Sequence, residues 1–146
     1  MRAIGEPFTP AECEAFVAFA RSCVGARWRH QGRSLAAMDC GGLLALSLRA
    51  VGRVPADPPA YGREPKDQHL EKVLQNNFGD PLPKSQMRAA DVAIMRFRGA
   101  ASHVGIVSSY PNGGFALIHA FAQMKKVVEH RIDSEWLDNI VEVYRP

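Results

Sequence analysis

Cysteine is scarce in this chain: Cys13, Cys23 and Cys40 are the three in 146 residues. An odd, sparse set is not a disulfide framework, and no pair has zinc-finger spacing, so a reducing compartment is expected and no metal site is read. Long apolar runs are missing too; none reaches the ~20 residues that cross a bilayer, which argues against membrane insertion. The first residues, MRAIGEPFTPAECEAF, have neither the basic n-region nor the apolar h-region of a secretory signal, so the chain is expected to be cytoplasmic when made. Lys and Arg form no run. The formal net charge of +3 does not demand nucleic acid, although with a pI near 8.9 it would favour an anionic polymer. Internal repeats and low-complexity segments are absent as well. What remains is 47% hydrophobic and 23% charged, the composition of one globular domain over residues 1–146 with a core of its own.

Helical signals come first. Thr9, Pro10 and Glu12 form a capping box with proline at the first helical position, and Cys13, Phe16, Val17, Ala20, Cys23 and Val24 then share one face up to Gly25. Cys13 and Cys23 therefore read as small core residues. Residues 28–38 read as a polar loop leading to Asp39, a natural N-cap. The helix over 40–51 carries one charge, Arg49, and a helix apolar nearly all round is buried. Residues 53–65 are a proline-rich surface loop, and 66–78 an amphipathic helix with Leu70, Val73, Leu74 and Phe78 inward. From Asp91 the period becomes two. Strands are expected at 92–98, 103–110, 115–121, 126–132 and 140–144, with a hairpin turn at Pro111-Asn112-Gly113-Gly114 and a helical turn from Asp133. Helices followed by an antiparallel sheet indicate an α+β fold, helices on one face.

Three residues carry chemistry. Cys40 stands where a helix begins, and unpaired amides with the helix dipole favour a thiolate there. Gly41 and Gly42 leave the backbone bare for substrate and for amides facing an oxyanion. His103 opens the strand HVGIV and His119 lies within FALIHAF. Cys, His and a polar residue, in that order, are the arrangement of a papain-like thiol hydrolase. The geometry turns on register. If the hairpin pairs residues whose numbers sum to an even value, His103 and His119 face the same way; an odd sum separates them. A zinc site on Cys40, His103 and His119 has no supporting CxxC or HxxxH pair. His130 reads as a strand surface residue and His69 as exposed and without a role; His30 precedes Cys40 and faces the same cleft.

Asp39-Cys40-Gly41-Gly42-Leu43, Ala89-Ala90-Asp91-Val92, His103-Val104-Gly105-Ile106 and Ile118-His119-Ala120 together resemble the NlpC/P60 family of papain-like cysteine peptidases. The resemblance runs from about Val24 to the C-terminus. It implies a papain-like α+β fold with the nucleophile at a helix N-terminus packed on an antiparallel sheet. It implies Cys40 as nucleophile, His103 as general base and His119 as the orienting residue, with no cofactor. Family members hydrolyse the bond between γ-D-glutamate and the diamino acid in peptidoglycan stems. Gly41 stands in place of the family's usual Ser, Trp28 in place of a Tyr, and Gln31 in place of the first glycine of the preceding loop. Trp28, His30, Gln31, Asp39, Tyr61 and Ser102 are the candidate substrate-binding residues.

His30-Gln31-Gly32-Arg33 and Tyr61-Gly62-Arg63 are similar to short members encoded in phage tail modules and gene transfer agents. That implies a cell-wall hydrolase carried in the tail of a phage-like particle, with tail-tip or hub proteins as partners. The alternatives are a structural tail-tip protein with a vestigial site, or a thiol amidase or acyltransferase on the same fold.

Overall fold

The computed structural model describes residues 6–57, 61–62, 68–99 and 101–146. Helix α1 (Pro10–Ser22) starts as its sequence demands: Thr9 accepts from the Glu12 amide and the Glu12 carboxylate accepts from the Thr9 amide. Helix α2 (Cys40–Ala50) is capped by Asp39, whose carboxylate accepts from the Gly42 amide at 2.8 Å. It closes at Val51, with Gly52 at φ +78°. Helix α3 (His69–Phe78) buries Leu74 and Asn77; Leu70 and Phe78 pack partly buried against the core. The expected helical start at 66–67 lies outside the described residues.

The segment read as a loop over 28–38 is instead three two-residue strands, β1 (Arg27–Trp28), β2 (Arg33–Ser34) and β3 (Ala37–Met38). Strands this short have no period to read; they exist because β1 adds to the sheet edge, Arg27 pairing with Lys126. The main strands are β5 (Val92–Met95), β6 (His103–Ser109), β7 (Phe115–Phe121), β8 (Lys126–Arg131) and β9 (Ile140–Tyr144), with β4 (Leu82–Pro83) at one edge. The spatial order is β2-β3-β1-β8-β7-β6-β5-β9-β4. Strand β5 ends at Met95, short of the expected 98, because its register against β9 slips between Ile94 and Met95 and the Arg96 amide leaves the ladder for Asn139.

Alternation along these strands builds two cores. On one side Ile106, Ile118 and Val127 meet Phe16 and Ala20 of α1 and Leu43, Leu44 and Leu48 of α2. On the other, Met95, Val107, Leu117, Ile140 and Val143 are covered by Leu82, Ile132 and Trp136, the last from the short α4 (Ser134–Asn139). The α+β architecture is as expected, with the refinement that α4 lies on the face opposite α1 and α2. Among the described residues no helix is long and apolar enough to cross a membrane.

Candidate active site

The hairpin register decides the site. Strands β6 and β7 pair Ile106 with Ile118 and Val107 with Leu117, an even sum, so His103 and His119 share a face. His103 Nε2 lies 2.6 Å from His119 Nδ1. Gly105 makes this contact possible, because a Cβ there would press on Leu117 Cδ1 at 2.7 Å and on His119 Cβ at 3.2 Å. Both rings are buried, His119 completely.

Cys40 comes to them from the other layer. It is half-buried at the first turn of α2, and Cys40, His103, Ser102, Trp28, His30, Asp39, Tyr61 and His69 border one cleft of about 280 Å³. Gln31 is not on that wall; its side-chain amide donates to the Tyr61 carbonyl and its backbone amide donates to Asp39 at 2.8 Å. Asp39, 5% exposed, accepts from Gln31, Gly42, Arg33 (2.7 Å) and the Tyr61 hydroxyl. Its carboxylate is therefore committed to holding the loop and the helix end together. Arg33 in turn forks onto Asp57 at 2.9 and 3.0 Å and donates to the Tyr61 hydroxyl at 2.7 Å. The Arg33 guanidinium occupies the space beside Gly41, where a Cβ would already lie 3.2 Å from Arg33 Nη2 and 3.4 Å from the Tyr61 hydroxyl. A side chain at position 41 would press on the guanidinium, which would have to give by a few tenths of an ångström.

Burial pushes the Cys40 thiol up to about 11, the Asp39 carboxylate adds to this, and the amides of Val104 and Gly41 aimed at the sulfur pull against it. Burial pushes His103 down to about 4, with Asp39 opposing and His130 assisting. Burial, then the neighbouring His103 and His130, hold His119 far below the ordinary histidine range. Both shifts favour the uncharged forms, a thiol and a neutral imidazole lining one cleft. The Val104 and Gly41 amides are the donors that face the sulfur, one from β6 and one from the first turn of α2, while the Gly42 amide is taken by Asp39.

Several participants had weak or misleading signals. His130, read as a surface residue, puts Nε2 2.8 Å from His119 Nε2. Alternation along β8 contains that placement only once His119 is known to pair with Val128. Trp136 lies 5.2 Å from the His119 ring and 4.6 Å from the His130 ring, with Phe121 5.0 Å from His119, an aromatic shell around the buried His119. His69, read as exposed and idle, packs 5.4 Å from the Tyr61 ring at the cleft wall. Arg33 stands out in sequence only as part of the 30–33 segment, which gives no sign of its ion pairs with Asp39 and Asp57. Among the described residues no group of three or more His, Cys, Asp or Glu is arranged to hold a metal ion. The histidine nitrogens are hydrogen-bonded to each other, and separations of 2.6 and 2.8 Å leave no space for an ion with bonds of about 2 Å.

The NlpC/P60 family model matches residues 25–145. The chain belongs to the NlpC/P60 family. No curated protein sequence is significantly similar to it. Among solved structures, the NlpC/P60 domain of the peptidoglycan hydrolase SagA is 21% identical, with 92% of this chain and 98% of that one covered and a TM-score of 0.65. An NLP/P60-family lipoprotein-like protein from Staphylococcus aureus is 16% identical with a TM-score of 0.65; this chain is covered over 99% but spans only 44% of that one. RipD from Mycobacterium tuberculosis, a non-catalytic NlpC/P60 domain protein adapted to peptidoglycan binding, is 14% identical over 92% of this chain and 96% of its own, with a TM-score of 0.62. At these identities the likeness establishes the shared papain-like fold.

Proposed function

We propose that the protein is a cysteine endopeptidase that hydrolyses peptidoglycan stem peptides at the γ-D-glutamyl–diamino acid bond. The observation that carries the reading is the 2.6 Å contact between buried His119 and His103, which lines the same cleft as a cysteine at a helix N-terminus. In this mechanism Cys40 gives its proton to His103 as the sulfur attacks the stem carbonyl. The tetrahedral oxyanion forms against first-turn amides of α2, His103 returns the proton to the leaving amine, and water then releases the acyl group from sulfur. Family membership supports the substrate class. The tail setting, a hydrolase borne by a phage-like particle with tail-tip proteins as partners, rests on the resemblance of residues 30–33 and 61–63, of which Arg63 lies outside the described residues.

A second reading, peptidoglycan binding without cleavage, is favoured by the raised Cys40 thiol and by the non-catalytic relative RipD. Digestion of purified peptidoglycan by the native protein and by Cys40→Ala, with muropeptides identified by mass spectrometry, separates the two. Split stem peptides from the native protein alone are the expected result. Retention of the native protein on sacculi without any split product would replace the peptidase with a binding protein.

A further inference from the structure

The histidine contact does not stop at two rings. His119 Nε2 faces His130 Nε2 at 2.8 Å, and His130 Nδ1 faces the backbone carbonyl of Arg131 at 2.9 Å. This last partner removes the ambiguity that a pair of imidazoles would have. A carbonyl oxygen only accepts, so His130 Nδ1 carries hydrogen. When that is the ring's one hydrogen, His130 Nε2 is bare, and His119 Nε2–H donates to it. His119 Nδ1 is bare in consequence, and His103 Nε2–H donates to it. One ring nitrogen is left without hydrogen and without a partner in the ladder: His103 Nδ1.

We propose that His130, held by the Arg131 carbonyl, is a positioning residue that sets the tautomer of all three histidines and so presents the lone pair of His103 Nδ1 to the nucleophile. The tautomer order stands on geometry alone; its consequence for rate rests on the thiol-hydrolase reading. A bare pair of neutral imidazoles could adopt either order, and the reverse order would put hydrogen on His103 Nδ1 and disable the base. The carbonyl breaks that symmetry about three rings away from the thiol. Packing keeps the ladder in line, since Trp136 lies against both His119 and His130 and Phe121 against His103 and His119. A group at position 130 that only accepts preserves the order, and a group that only donates inverts it.

The first test uses no variant and no substrate. In protein labelled with 15N at histidine, the ring-nitrogen shifts at neutral pH should be pyridine-like for His103 Nδ1, His119 Nδ1 and His130 Nε2. They should be pyrrole-like for the other three nitrogens. A pyrrole-like His103 Nδ1 overturns the proposal whether or not the protein cleaves anything. The second test compares His130→Glu, an acceptor, with His130→Lys, a donor, each checked for the native fold by circular dichroism. On split-product assays the Glu variant should keep kcat within several-fold, while the Lys variant should lose about a hundredfold or more with KM little changed. Equal losses in the two folded variants would reduce His130 to a packing role. Absence of cleavage by the native protein would sink the peptidase reading and leave the tautomer order to the spectrum.

Discussion

Gly42 and Arg33 show how much of the site is held by residues that perform no chemistry. A Cβ on Gly42 would run into the Gly32 carbonyl oxygen, with Met38 Cβ and Arg33 Nη1 only 3.1 Å away. Gly42→Ala should therefore force the 31–39 segment off the helix end. A loss of about 3 kcal/mol in urea unfolding is expected, against the gain that Ala brings to an ordinary helix position. Arg33→Ala leaves the buried Asp39 carboxylate without its charged partner and removes the guanidinium from Asp57 and from the Tyr61 hydroxyl, which keeps its bond to Asp39. It should cost about 2–3 kcal/mol by the same measurement and broaden the cleft end around Tyr61. A cost below about 1 kcal/mol would mean that water replaces the guanidinium. Neither constraint could be read from sequence. Gly41-Gly42 signals bare backbone in general, but which carbonyl approaches which glycine is set by a neighbour ten residues upstream.

At the scale of elements, the β6–β7–β8 ladder makes the fold sensitive to acid. His103 is held near 4 against an ordinary value of 6.5, with His119 lower still, so below pH 6.5 the unfolded chain binds protons that the folded chain refuses. Stability from this source is complete above pH 6.5 and is lost as the pH falls toward 4. His103 alone accounts for about 3 kcal/mol over that window. Urea denaturation at intervals from pH 7.5 to pH 4.5 should show the decline beginning near 6.5, ahead of carboxylate protonation. A flat profile down to pH 5 would mean that the rings are hydrated. The strands that carry the ladder were legible because period-two alternation and the Asn112-Gly113 turn specify a hairpin. Strands β7 and β9 match the expected 115–121 and 140–144 to the residue. The strands over 27–38 were not, because pairing to an existing edge, and not local propensity, creates them.

For the whole molecule, charge and cleft pull in the same direction. Under the proposed function, a net charge of +3 on 146 residues should draw the protein to an anionic wall polymer, and the cleft between Trp28, Tyr61 and His103 is where the stem peptide would bind. Cosedimentation of the Cys40→Ala variant with sacculi should accordingly weaken several-fold between 50 mM and 500 mM salt, as screening predicts. Salt-independent retention would assign binding to the cleft alone.

What the sequence determined by itself is everything that depends on neighbours along the chain: the capping box of α1, the Asp39 cap, the buried helix behind Cys40, the hairpin turn and the α+β order of elements. The motifs around Cys40 and His103 also sufficed to indicate the family. Only the tertiary structure decided what depends on register and on contacts between layers. It put His103 and His119 on one face, added His130 and the Arg131 carbonyl to them, brought Trp136 over the rings, and made the Asp39 cap also the centre of the Arg33–Tyr61 network. The reason is physical. Caps and periodicities are written in spacings of a few residues, whereas the direction of a histidine lone pair is set by a carbonyl 28 positions away from that histidine and about three hydrogen bonds along the ladder.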